Sequence, residues 1–160
     1  MDPGGRGESG ASDQHGMVEY IDRYDGVASW LAEKGWYVTG NDHLGHGKSV
    51  TSEEKYGFFH EPDGNACVIR DIHTLRERAG DRYPGVPYFM LGHSMGTLVA
   101  RNYLKQYDEE LDKLVLTGPP SKNPAVDAGL WLAKVQKKLR GGSYRSKEIQ
   151  LLAFGPFASR

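Results

Sequence analysis

The feature that most constrains this chain is a strand-length run of apolar residues, Val86 to Gly92 (VPYFMLG), set between a turn signal at Tyr83-Pro84-Gly85 and a helix-patterned stretch. A run this apolar suits a strand buried on both faces of a parallel sheet. The helical pattern that follows, Met95 to Tyr107, leads to a second apolar run, Leu114 to Thr117, which is stopped by Gly118-Pro119-Pro120. Strand, helix and strand joined by short connections imply a right-handed crossover and an α/β layer architecture. The same alternation extends upstream. Ile21 to Lys34 carries Val27 and Leu31 on one helical face and ends at Gly35, and Trp36 to Asn41 (WYVTGN) reads as a short strand entering the polar loop DHLGHGKS. Gly64 to Arg78 places Val68, Ile72 and Leu75 on one face of an amphipathic helix.

Composition narrows the classes. At 160 residues the chain has room for one domain of ordinary size. Twenty basic against 21 acidic residues, a net charge of −1, give no field for nonspecific binding of phosphate backbones, so nucleic acid is not an expected partner. The single cysteine, Cys67, has no intramolecular partner and reads as a small buried thiol on the Gly64–Arg78 helix. No apolar run approaches the ~18 residues of a membrane span, and the expected location is the cytoplasm. The first fourteen residues, MDPGGRGESGASDQ, offer almost nothing apolar to bury and read as a disordered leader. The last forty residues place Ala128, Leu132, Val135 and Leu139 on one helix face and Lys134, Lys137 and Lys138 on the other. Such a basic amphipathic helix is a candidate for weak membrane-surface contact, although charged faces of this kind are usually just solvated; Trp131 on it reads as a packing residue.

The chemistry concentrates at Gly92-His93-Ser94-Met95-Gly96, a G-x-S-x-G pentapeptide lying where the buried strand meets the helix. In that context the serine sits on a sharp turn that lifts its hydroxyl above the sheet edge, with glycines on either side because the turn leaves little room for a β-carbon. The helix beginning at Met95 aims free N–H groups at the same place, so the Met95 amide can donate to an oxyanion. Upstream, His15-Gly16-Met17 precedes a helix, with Arg23-Tyr24 a few residues on, and the Met17 amide is the candidate second donor. His43 and His46, with Asp42 adjacent, lack a third ligand at workable spacing and read as a locally hydrogen-bonded rim loop, so no metal site is assigned. His93 neighbours Ser94 but projects in a different direction on a sharp turn, which makes it a poor base for that serine.

The stretches HGMVEYIDRYDGVASWLAEKGWYVTGNDHLGHGKS and YFMLGHSMGTLVARNYL together resemble the α/β-hydrolase branch of monoacylglycerol lipases and lysophospholipases, the serine aminopeptidase S33-like hydrolases. The resemblance runs from about His15 to near the C-terminus. It implies a partial α/β-hydrolase core over 15–120, the start of a helical cap over 121–160, and a serine esterase acting on monoacylglycerols or lysophospholipids without a cofactor. Ser94 corresponds to the nucleophile, Gly92, His93 and Gly96 to its elbow, and the amides of Met17 and Met95 to the oxyanion hole. The chain departs from the pattern in two places. All six histidines, His15, His43, His46, His60, His73 and His93, precede Ser94, whereas the triad of this fold runs Ser, then Asp or Glu, then His. The family's apolar strand before His-Gly is replaced by GESGASDQ, which is expected to make no buried strand and to leave a gap at the sheet's centre. A truncated hydrolase is therefore the expectation. The alternative is a non-catalytic fragment that acts only by binding or association. Acyl length, head group and oligomeric state are not legible.

Overall fold

The computed structural model describes residues 8–121, 124, 126–142 and 144–151. The chain divides into two compact units, Met1–Pro120 and Ser121–Arg160. In the first, four parallel strands form one sheet: β1 (Ser9–Gln14), β2 (Trp36–Gly40), β3 (Tyr88–His93) and β4 (Lys113–Thr117), in the order β2-β1-β3-β4. Three helices connect them, α1 (Asp25–Glu33), α2 (Gly64–Arg82) and α3 (Met95–Tyr107). α1 is preceded by a single 3-10 turn, Ile21–Tyr24, and is followed by Gly35 at φ +85°, the left-handed residue that lets the chain reverse into β2.

The order of the strands places the helices. From β1 the chain steps to one side, to β2; from β2 and again from β3 it steps the other way. Right-handed crossovers then put α1 on one face of the sheet and α2 and α3 on the other. The main core lies on the latter face, where Val68, Ile69 and Ile72 of α2 and Val99, Ala100 and Tyr103 of α3 close over Met90. A smaller cluster, Tyr37, Ala79 and Tyr88, extends it toward β2. β3 is accordingly buried in alternation, at Tyr88, Met90 and Gly92, with Phe89, Leu91 and His93 half-buried. The expectation of burial on both faces holds for only one of them.

The largest correction concerns the first strand. Ser9–Gln14 is not a leader: it pairs in parallel with β2 from Ser9↔Trp36 to Asp13↔Gly40 and with β3 from Gly10↔Tyr88 to Gln14↔Gly92, closing the expected gap. Five of its six residues are buried. Two physical terms override its polar composition. A central strand hydrogen-bonds along both edges, which satisfies the backbone whatever the side chains. The volume left by small residues is filled by the tyrosines of its neighbours, since a β-carbon on Gly10 would lie 2.1 Å from Cζ of Tyr37. Tyr88 hydrogen-bonds Ser12, and Gln14 Nε2 donates to Ser12 Oγ at 3.4 Å. The remainder of the expected leader, residues 1–7, lies outside the described residues.

The second unit contains α4 (Val126–Arg140). None of its described residues is buried, and Trp131, expected to pack, is 67% exposed. Cys67, expected to be buried, is half-buried, with Arg70 Nη2 3.1 Å from its sulfur. No helix among the described residues is long and apolar enough to cross a membrane.

Candidate active site

The sheet's connections reverse direction at β1 and β3, so the crevice beyond the carboxyl ends of these two strands is where an open α/β sheet offers a site. β1 runs out into His15-Gly16-Met17, and β3 runs out into Ser94. The two loops touch: a β-carbon on Gly16 would stand 3.2 Å from Cβ of Ser94.

Ser94 is the single residue between β3 and α3, with φ +51° and ψ −115°. An L-residue enters that region only under constraint, at a cost of order 1–3 kcal/mol. The constraint is visible. The Ser94 amide donates to the Thr117 carbonyl on β4 at 3.0 Å, and the Ser94 carbonyl accepts from both the amide and the hydroxyl of Thr97, at 3.0 and 2.7 Å. The side chain makes no capping bond to α3, so the hydroxyl is not consumed by the helix that it precedes. The flanking glycines are steric requirements. A β-carbon on Gly92 would lie 2.8 Å from the Gly96 carbonyl oxygen, and one on Gly96 would lie 1.9 Å from the carbonyl oxygen of Gln14. The start of α3 is thus pressed against the end of β1. Met95 opens the helix and its first-turn amide has no intrahelical acceptor.

The opposing loop is also strained. Val18, directly after Met17, has φ +60° although it is β-branched, and it and Ser94 are the two non-glycine residues with positive φ among those described. Met17 is half exposed. Glu19, which the sequence reading did not single out, braces this loop. Its carboxylate accepts from the Gly16 amide at 3.2 Å and from the Tyr24 hydroxyl at 3.0 Å, and it lies 3.5 Å from Arg23 Nη1 and 3.4 Å from His93 Nε2. Its signal in the sequence was local: a carboxylate three residues after Gly16 and four before Arg23, the spacing of one helical turn. The other ring nitrogen of His93 lies 3.1 Å from Thr117 Oγ1, so both nitrogens already face oxygens other than that of Ser94.

His15 is a buried structural residue. The His43 backbone amide donates to its Nε2 at 2.9 Å, which leaves Nδ1 to carry the proton and donate to the Gly16 carbonyl at 2.8 Å. Burial holds the imidazole below its ordinary pKa. His43 packs against it, ring centroids 4.3 Å apart, and burial, reinforced by the neighbouring His15 and His46, pushes His43 down to about 3. The rest of the loop is organised by Asp42, whose two carboxylate oxygens accept from the amides of Ile21 and Lys48 at 2.8 and 2.7 Å. Among the described residues no three His, Cys, Asp or Glu side chains are grouped so as to hold a metal ion.

Residues 14–151 match the model of the family described as serine aminopeptidase, S33. The chain belongs to the serine aminopeptidase S33 family. Within it, similarity extends to a monoacylglycerol lipase of Mycolicibacterium smegmatis, 33% identical over 66% of this chain and 35% of that protein. Human monoglyceride lipase is 35% identical over 54% of this chain and 26% of its own length. Among solved structures, a thermostable carboxyl esterase from Bacillus coagulans superimposes with a TM-score of 0.84 at 29% identity, covering 94% of this chain and 48% of the esterase. A monoglyceride lipase from Saccharomyces cerevisiae shares the fold at 20% identity and a TM-score of 0.65. The four-stranded parallel sheet with its flanking helices is an α/β-hydrolase architecture, and the chain spans about half the length of these solved structures and about a third of the curated lipases.

Proposed function

We propose that this chain carries the nucleophile and oxyanion side of a serine ester hydrolase of the monoacylglycerol lipase or lysophospholipase type. The observation that carries the reading is Ser94 held at φ +51° on the turn between β3 and α3, its hydroxyl uncapped and the Gly16 loop against it. The lipases named above support an acyl glycerol or related single-chain ester as the substrate class.

In this mechanism Ser94 Oγ attacks the ester carbonyl carbon and its proton passes to a base. The carbonyl oxygen becomes an oxyanion received by the amides of Met95, at the start of α3, and Met17, on the loop that Glu19 braces. Collapse of the tetrahedral intermediate expels the alcohol, which takes the proton, and leaves the acyl group on Ser94 for water to remove. A strained serine suits this role because its torsion is fixed before substrate arrives. No histidine follows Ser94 in the 160 residues, and the ring nitrogens of His93 are turned to Glu19 and Thr117. The base and the acid that orients it are therefore assigned to groups outside these residues, and α4 to the beginning of a cap.

A fluorophosphonate probe tests the reading on the folded protein with imidazole added in solution, which stands in for the base that these residues do not supply. Labelling of the native chain that Ser94→Ala abolishes is the expected result, together with a loss of at least about a thousandfold in any ester hydrolysis. Soluble, folded protein that stays unlabelled would instead make Ser94 an inert elbow, and the chain a binding or association module.

A further inference from the structure

Beneath α1, at the C-terminal ends of β1 and β2, lies a cavity of about 290 Å3 with Asp13, Tyr24, Asp25, Ala28, Val38 and Thr39 in its walls. Among the described residues, Ser94 does not line it, and neither does any lysine, arginine or histidine. Asp13 is 4% exposed, and its Oδ1 has no hydrogen-bond partner. Asp25, by contrast, is exposed and stands at the mouth. The cavity thus has a carboxyl at its depth, a second at its entrance, hydroxyls on Tyr24 and Thr39, and aliphatic wall between them.

We propose that this cavity binds a primary ammonium group carried on a short aliphatic stem, with Asp13 as its counter-ion. A buried carboxylate without a partner is costly to keep ionised, and burial alone pushes Asp13 up to about 7, so a cation brought to Oδ1 supplies what the fold leaves out. An anion is disfavoured by the two carboxyls. A divalent metal is disfavoured because, among the described residues, no third carboxylate or imidazole joins Asp13 and Asp25 to hold it. The wall of Ala28, Val38 and Ile21 takes the methylenes, and the volume, at the lower end for small-molecule sites, limits the stem to a few carbons. The site is independent of the hydrolase reading, because it lies away from Ser94.

The test uses n-butylammonium as probe and n-butanol as its neutral match, at pH 8 and constant ionic strength, followed by calorimetry and by NMR shifts of Ala28 and Val38. Saturable binding of n-butylammonium, weakened at least tenfold in Asp13→Asn and absent for n-butanol, is the expected result, with Ser94→Ala binding as the native chain does. Equal binding of n-butanol, unchanged affinity in Asp13→Asn, or no saturable binding of the ammonium overturns the proposal. Because the comparison of the two probes is made on the unaltered chain, that arm of the test stands however Asp13→Asn folds.

Discussion

At the scale of single residues, Asp13 couples the centre of the sheet to pH. Its folded pKa, about 7, lies above the ordinary value of 3.8 because burial penalises the carboxylate, so the native state holds the proton more tightly than the unfolded chain does. A raised carboxyl contributes its full stability below about pH 4 and loses it as pH rises through about 7. At about 1.4 kcal/mol for each pH unit, the loss amounts to roughly 4 kcal/mol, a large share of a stability of about 5–15 kcal/mol. Because buried His15 and His43, held below their ordinary values, lose stability in the opposite direction as pH falls, urea unfolding at pH 5 and pH 8 isolates Asp13 as the difference between the native chain and Asp13→Val. Asp13→Val, which replaces the carboxyl with a good strand-former, should be the more stable of the two at pH 8 by about 2–4 kcal/mol, with the difference shrinking at pH 5. A difference between native and Asp13→Val that is the same at both pH values would remove Asp13 from this role.

At the scale of elements, the junction of β1 with α3 carries the site. Gly96 sits where a methyl group would come within 1.9 Å of the Gln14 carbonyl oxygen, a backbone atom of a central strand that cannot swing aside. Gly96→Ala should destabilise the domain by about 3 kcal/mol or more, beyond the usual range for overpacking, and should slow probe labelling of Ser94 in whatever folded protein remains. Gly129, in α4, has open space around its Cα and makes a control: Gly129→Ala should be neutral or mildly stabilising. The same junction marks the limit of what the sequence disclosed. Helices and strands with apolar side chains, such as Met95–Tyr107 and the run Val86–Gly92, were legible because those side chains supply the burial. β1 was not, because Gly10 and Ser12 are covered by Tyr37 and Tyr88, which lie far off in the chain. Ser94 and its glycines were legible because the turn demands them locally. The His15–His43 pair was not, since loops 28 residues apart bring it together, and Glu19 offered only its spacing from Gly16 and Arg23. The cavity around Asp13 depends on both strands and α1 at once.

On the scale of the whole molecule, the two ends of the sheet differ from its middle. β4 is an edge strand whose residues are largely exposed, with Val115 53% and Leu116 36% accessible. An accessible apolar edge is a template for pairing with another chain. Light scattering should therefore show concentration-dependent association of the native protein, and Val115→Lys should suppress it while leaving thermal stability nearly unchanged. Association that is indifferent to this charge would locate the contact elsewhere.

The position of β1 also bears on how the chain is made. Both flanking partners of the strand, Trp36–Gly40 and Tyr88–His93, are synthesised after it, and the Gln14 carbonyl meets α3 only once Gly96 has emerged. A nascent chain arrested between those partners holds a polar, half-paired segment with no incentive to settle. Presentation of the serine thus waits on the segment that carries Gly96, and a pulse of activity-based probe, with imidazole present as base, on stalled chains of increasing length should find reactivity arriving abruptly rather than by degrees.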